Sequence, residues 1–391
     1  MLFRDEFTAG GDDAWRLRER VRKRREYTLQ AVLLLLLVAL VATVVTTVGE
    51  NLEARNIRSG FDFLSSRAGF EIGETLLPFS SSDSFLRAFG IGTLNTLYVS
   101  AWAIVTSTIL GFVVGLMRLS RHPMLRFLGT AHVEAYRNIP LLVLLFALYL
   151  FVTELLPASR NAWHVGDWVF LSKAGLQYAK PLLGWTAVGL SLVVAAATAA
   201  AVRFWRVKKT TSLTASLTAV AVFFVVFAAA WVLCGVIGGW EHPKATRFAL
   251  RGGGQWTPEF LTLWLGLTLF TSAAIAEIVR AGVLAVKPGQ WMAGYALGLT
   301  RSETVSYIVV PQSMRLAIPP LASQYMNLTK NSSLAVLVGY PDVVSVGNTA
   351  INVTAQALEV ISLIMLVYLL INLCTAVVMN RINRAVMKSS L

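Results

Sequence analysis

Lys287-Pro-Gly-Gln-Trp-Met-Ala-Gly-Tyr-Ala-Leu-Gly-Leu-Thr-Arg301, followed by Ile308-Val-Val-Pro-Gln-Ser-Met-Arg315, is a polar, basic-tinged stretch set between two apolar runs of membrane length. Pro288-Gly289 breaks the helix that precedes it. Gln290 to Leu297 can form one short helix, with small residues at Ala293, Gly294 and Ala296. Gly298 can take the positive-φ conformation that ends such a helix. Pro311 marks the approach of the next spanning helix. A short, capped helix on a loop reads as a docking device, set against the plainer reading of a polar hairpin between two membrane helices.

Outward from this loop the chain is apolar. Of 391 residues 56% are hydrophobic and 14% charged, too apolar a balance for a soluble globule. Tyr27–Gly49, Ala88–Met117, Pro181–Val202, Thr210–Trp240 and Val360–Asn380 carry no charge. Each reaches the roughly 20 residues that a bilayer demands. Asn138–Thr153, Phe260–Ala276 and Leu316–Thr329 are shorter but extend into further apolar residues. The expectation is an all-α polytopic membrane protein with about eight transmembrane helices. Tyr27–Gly49 is read as a span and not as a cleavable leader, since a polar tail precedes it and no small-x-small site fits.

The formal net charge of +13 raises the possibility of nucleic acid, and its distribution argues against it. With an even number of spans and a cytoplasmic N-terminus, the C-terminus is cytoplasmic too. The cytoplasmic segments then hold 23 of the 34 Lys and Arg, which is the positive-inside bias and fixes topology. The Arg16–Arg25 run could also attract anionic lipid headgroups. Cys234 and Cys374 lie in apolar spans far apart in sequence, so no disulfide or metal site is expected. The four histidines show no metal-ligand spacing.

Ionisable groups at membrane depth are costly and mark a cavity or a partner. Glu277 and Arg280 lie one helical turn apart and can pair. Asn327-Leu-Thr-Lys330 and Lys330-Asn331-Ser332-Ser333 interrupt the seventh span, downstream of Pro319-Pro320, which should kink it. Broken helices are where polar substrates are held. Asn327, Lys330, Asn331, Ser332 and Ser333 are therefore the preferred pathway-lining set, with helix capping as the structural alternative. Asn95, near the outer end of the second span, could line an outer gate or bond a neighbouring helix. Gly111-Phe-Val-Val-Gly115 offers a small-xxx-small face for close helix packing.

The sequence contains no Gly-x4-Gly-Lys-Ser/Thr phosphate loop and no hydrolase motif, so it has no recognisable means of hydrolysing ATP. A pump built on this chain must receive its energy from a second protein through a loop. The 287–301 stretch is the candidate.

That stretch resembles the loop of ABC-importer membrane subunits, which reads Glu-Ala-Ala, three residues, Gly, nine residues, then Ile-x-Leu-Pro. The matching positions are Met292-Ala293-Gly294, Gly298 and Ile308-Val309-Val310-Pro311; Met292 departs from the usual Glu and Gly294 from Ala. Gly92-Thr-Leu-Asn-Thr-Leu, Tyr136-Arg-Asn-Ile-Pro-Leu-Leu, Glu277-Ile-Val-Arg-Ala-Gly, Val310-Pro-Gln and Leu328-Thr-Lys-Asn-Ser-Ser-Leu resemble the polar amino acid branch of the type I importers. Asn331 stands where that family more often has an acidic residue. The extra first span and the inserted fourth and fifth spans are similar to the permeases of general L-amino acid or glutamate/glutamine/aspartate/asparagine importers of Gram-negative proteobacteria.

The resemblance implies a type I ABC importer (MetI-like) five-helix core plus an N-terminal helix and two inserted helices. The corresponding segments are a basic cytoplasmic tail (1–26), the first helix (27–49) and a periplasmic segment (50–87). The core follows in two parts (88–157 and 256–391), separated by an insertion (158–255), with the cytoplasmic coupling loop at 283–310. It implies that Gln290, Met292, Ala293, Gly294, Leu297, Gly298, Leu299 and Arg301 meet the ATPase. It implies an inner-membrane location and partners: a homologous second permease, an ABC ATPase dimer that binds ATP and Mg, and a periplasmic amino-acid-binding protein, with lipid around and no nucleic acid. Pathway residues would be Asn95, Glu277 and 327–333. An ion-coupled secondary transporter and a non-transporting scaffold are the rival readings; the first would want paired carboxylates deep in the helices, which are sparse here.

Overall fold

The computed structural model describes residues 9–54, 59–207, 212–246 and 250–388. The chain forms two compact units: the N-terminal part up to Asp62 with Thr354–Glu359, and everything else.

In the first unit, α1 (Ala9–Ala54) is a single helix. The basic tail is helical from Ala9 onward. Glu19–Lys23 (2.9 Å) and Arg22–Glu26 (3.5 Å) pair one turn apart, and Arg, Glu and Leu are good helix formers. Its middle is apolar all round, with Leu33 to Leu37 all exposed, the pattern of a helix whose neighbour is lipid. Gly60 closes the unit: its N–H donates to Glu359 Oε1 (2.8 Å) and its carbonyl accepts from Gln356 Nε2 (2.9 Å).

The second unit begins with a knot of Phe63, Phe70, Phe79 and Phe85 rings ahead of α2 (Phe85–Leu119). The Ser84 hydroxyl caps α2 by accepting from Arg87 N–H. Residues 118–137, which join the second and third apolar stretches, are largely helical: α3 (Pro123–Asn138) lies against α2 with Gly129 beside Val114 and Val133 buried. Pro140 holds Ile139 out of the helical region, so α4 (Leu141–Leu150) leaves α3 at 103°. A wide turn, Phe151–Leu155, extends α4.

The insertion opens with a feature periodicity had not disclosed. Strands Trp163–Val165, Val169–Ser172, Gly175–Tyr178 and Gly254–Trp256 form an antiparallel sheet in that order, with Trp163 opposite Leu171 and Leu176 opposite Trp256. Gly175, at φ +91, makes the tight reversal into the third strand. Helices α5 (Trp185–Val207) and α6 (Ser212–Gly238) then pack along each other as a hairpin. They are mostly exposed, as a lipid-facing pair should be.

Helix α7 (Pro258–Leu284) is the most buried span. The loop beyond it holds α8 (Pro288–Ala296) and α9 (Arg301–Thr304), then α10 (Val310–Asn331). A 3₁₀ turn at Ser332–Leu337 leads to α11 (Val343–Thr354), and α12 (Ala357–Lys388) ends the described chain. The core gathers Val99, Leu145, Phe260, Leu263, Leu267, Leu328 and Tyr340.

Among the described residues six helices are long and apolar enough to cross a membrane, or seven if the bent α3–α4 pair counts as one span. The expected eighth is α10, which fails on composition because Gln312, Arg315, Asn327 and Lys330 lie along it. Pro319-Pro320, where a kink is expected, do not end the helix. The helix runs through both prolines, held by buried Ala317, Ile318 and Leu321, and changes only at Ser332.

Candidate functional site

The chain's short-helix loop is a rigid knob built from local rules. Lys287 leads into α8, with Pro288 in its first turn where no amide partner is needed. At the far end Gly298 has φ +77. Its N–H donates to Tyr295 O (3.0 Å), and Leu299 N–H donates to Gly294 O (3.1 Å). This reciprocal pair is a Schellman closure, which satisfies carbonyls that a helix end leaves orphaned. Thr300 and Glu303 form a capping box: Thr300 N–H donates to Glu303 Oε2 (2.8 Å) and Glu303 N–H to Thr300 Oγ1 (3.3 Å). The hydroxyl and amide of Thr300 hold the Glu303 carboxyl below its usual range.

The small residues of α8 do not share one face. Gly294 is buried, and a Cβ there would sit 2.7 Å from Thr304 Cγ2 and 3.0 Å from Ile308 Cδ1. Ala293 and Ala296 face outward beside Met292 (64% exposed), Tyr295 (49%) and Leu297 (77%). Gln290 ties the knob to α10 by accepting from Gln312 Nε2 (3.0 Å). Gly298 and Arg301 are exposed and Leu299 is half-buried. The structure thus presents an exposed, largely apolar patch on a loop whose helix is closed by backbone bonds at its C-terminal end.

At the same end of α7, Glu277 pairs with Arg280 as its spacing predicts, and also with Arg118 from α2. Sequence reasoning missed Arg118; the only signal was a charge closing an apolar span. The triad fastens α2 to α7 just above the loop.

Asn95 is fully buried. Its Nδ2 donates to Glu74 O (2.8 Å) and Pro341 O (2.9 Å), so it bolts two loops to α2 and bonds no neighbouring helix. Thr96 Oγ1 accepts from Val343 N–H (3.1 Å) in the same knot. Asp342, fully buried, starts α11 by accepting from Ser345 N–H (2.8 Å), and burial lifts its carboxyl to about 7. Nearby, burial lifts Glu74 to about 6, against the pull of the Thr257 hydroxyl, which donates to it at 2.6 Å.

The Glu74 shift has a sign. A carboxyl raised above its ordinary 4.5 is fully stabilising below that pH and loses its contribution as pH rises toward 6. Glu74→Gln keeps an acceptor for Thr257 and never ionises. The melting-temperature difference between Glu74→Gln and the native chain should be near zero at pH 4.5 and should reach its full value above pH 6. The effect is on the order of 1 kcal/mol in the variant's favour. A flat difference across that window would show that Glu74 titrates normally.

The 327–333 group is brought together only in part. Ser332 is buried, with its hydroxyl donating to Thr329 O (2.7 Å), a bond that tightens the turn. Asn331 and Ser333 are half-buried. Asn327 and Lys330 are exposed and continue one stripe of α10 with Leu316, Pro320 and Ser323, spaced three and four apart. Asn95 bonds none of them among the described contacts. Asn and Lys on a helix face are costly against hydrocarbon, so this stripe suits a water-filled path or a second subunit.

Residues 107–388 match the family described as "Binding-protein-dependent transport system inner membrane component". The chain is 40% identical to the general L-amino acid transport system permease protein AapQ of Rhizobium johnstonii, over 92% of each chain. It is 42% identical to the putative amino-acid ABC transporter permease protein YhdX of Escherichia coli, over 86% of this chain and 87% of that one. It is 36% identical to the glutamate/glutamine/aspartate/asparagine transport system permease protein BztB of Rhodobacter capsulatus, over 93% of each.

Proposed function

The chain belongs to the family of binding-protein-dependent transport system inner membrane components, and from that premise we propose that it is the membrane subunit of an ATP-driven importer that moves polar or acidic L-amino acids by alternating access. The observation that carries the reading is the α8 knob: an exposed apolar patch, closed at its C-terminal end by backbone bonds, on a chain whose sequence has no nucleotide-binding motif. Amino acid cargo follows from the relatives, whose names span general L-amino acids and glutamate, glutamine, aspartate and asparagine.

In this reading a separate ATPase dimer holds ATP and Mg and engages Met292, Tyr295 and Leu297. The termini and α8 are cytoplasmic, and a loaded amino-acid-binding protein docks on the opposite face. The polar stripe of α10 favours a second, homologous permease, with the cargo path between the two. ATP and loaded binding protein shift the helices only by preferring the same, outward-open state. The matched family and the relatives weigh against an ion-coupled carrier, and Glu277 is neutralised by two arginines near the loop end of α7.

The test is reconstitution of the whole complex in vesicles. Loaded binding protein should raise ATP turnover. Leu297→Asp, which puts a charge on the apolar patch, should cut co-purification of the ATPase by at least about tenfold, the cost of a poorly desolvated charge at an interface. Turnover indifferent to the binding protein, or uptake that persists without ATPase, would overturn the reading.

A further inference from the structure

Between the α5–α6 hairpin and the core lies a cavity of about 740 Å³. That is within the range, roughly 300–1,000 Å³, of pockets that enclose a small organic ligand. We propose that this seam binds one anionic phospholipid of the inner leaflet, its acyl chain among Ala200, Phe223 and Met379 and its headgroup on Arg203.

Depth is the first argument. The lining comes from the last third of α2, the end of α5, the first half of α6, the first two-thirds of α10 and the end of α12. Those stretches lie at the helix ends on the α8 side, so the cavity sits in one leaflet. It is the inner one if α8 is cytoplasmic, and to that extent the inference rests on the proposed orientation.

Chemistry is the second. The wall is almost wholly apolar. Its hydroxyls at Thr108 and Tyr325 are bonded to each other at 2.9 Å, leaving water little to hold. The cationic lining residue is Arg203, at the mouth and exposed, with no ion pair among the described residues. Its stem can lie along the apolar wall while the guanidinium reaches the interface, where its planar fork matches a phosphate. An added negative charge on the headgroup gains further from the same arginine.

Architecture is the third. Helix α5 packs along α6, and neither makes an extended backbone contact with α2, α7, α10 or α12. An unfilled seam would forfeit dispersion contacts along both walls. A bound chain supplies them and joins the hairpin to the core.

The assembled importer, washed in mild detergent and exchanged into equimolar phosphatidylglycerol and phosphatidylethanolamine, should retain phosphatidylglycerol preferentially in native mass spectra. Arg203→Ala should lower that preference about fivefold, and Arg203→Lys should keep most of it. Ala200→Phe, which fills the cavity, should abolish retention of both lipids while the ATPase still co-purifies. Equal retention of the two lipids by the native protein, or unchanged retention in Arg203→Ala or Ala200→Phe, overturns the site; so does a partner permease cross-linking into the seam. The orientation is scored separately, by labelling Leu297→Cys with an impermeant thiol reagent in a Cys374→Ser background. Labelling from outside would refute the sidedness and leave the lipid preference to stand or fall on its own.

Discussion

A chain carrying valine at Gly298 should insert and fold its spans normally, yet lose most of its bound ATPase and its uptake. At φ +77 the backbone of Gly298 lies in the left-handed region, which costs an L-residue about 1–2 kcal/mol and a β-branched one more. No atom lies within 4 Å of where its Cβ would go, so the penalty is conformational and not a clash. Relieving it means abandoning the bonds from Gly298 to Tyr295 and Leu299 to Gly294. Leu297, the most exposed apolar residue of the knob, would then leave its fixed position. At 1.4 kcal/mol per decade the docked population should fall by about tenfold or more. Gly298→Asn is the control, since Asn tolerates this region and should keep most of the activity. Wild-type co-purification of the valine variant would sink the docking role of the loop.

How much of this was written in the sequence depends on the range of the interaction. The knob was legible because its signals are local: Pro288, Gly298 and Pro311 punctuate the chain, and each acts within a turn of itself. The long apolar helices were legible for the same reason, since length and hydropathy need no tertiary information. The partner of Glu277 was only half legible. Arg280 is one turn away, but Arg118 lies 159 residues earlier and meets it only after α2 and α7 have packed. The partners of Asn95 were not legible, because a polar residue in a span looks the same from sequence whatever it bonds, and the carbonyls of Glu74 and Pro341 lie 21 and 246 residues away. The sheet at 163–178 and 254–256 went unread because its strands are only three or four residues long and the last follows two helices. In α10 tertiary packing carries the helix through Pro319-Pro320, which proline rules alone do not foretell.

The seam between α2 and α7 is sensitive to change at Gly111. The pattern Gly111-Phe-Val-Val-Gly115 lies where α2 closely approaches α7. A Cβ on Gly111 would lie 2.6 Å from Ile275 Cβ and 2.9 Å from Ser272 O, and one on Gly115 would lie 2.9 Å from Val279 Cβ. Neither Ile275, fully buried, nor the Ser272 carbonyl can withdraw without moving α7. Gly111→Ala should therefore destabilise by about 1–3 kcal/mol, and Gly111→Leu by more, a larger penalty than exposed-loop changes carry. Because the nearest obstruction is Ile275 Cβ with Cγ2, Ile275→Gly should cost stability alone yet recover part of the loss in the Gly111→Ala background. A double-mutant cycle read by thermal unfolding gives that coupling directly. Additive effects, or a Gly111→Ala chain as stable as the native one, would show that the helices can part without penalty. The consequence reaches beyond stability. The same α7 carries Glu277, which Arg118 of α2 holds, and runs on toward the loop that presents α8. A wedge at Gly111 should thus lower the ATPase stimulation per folded complex as well as the number of complexes, whereas a purely local packing defect would lower only the number.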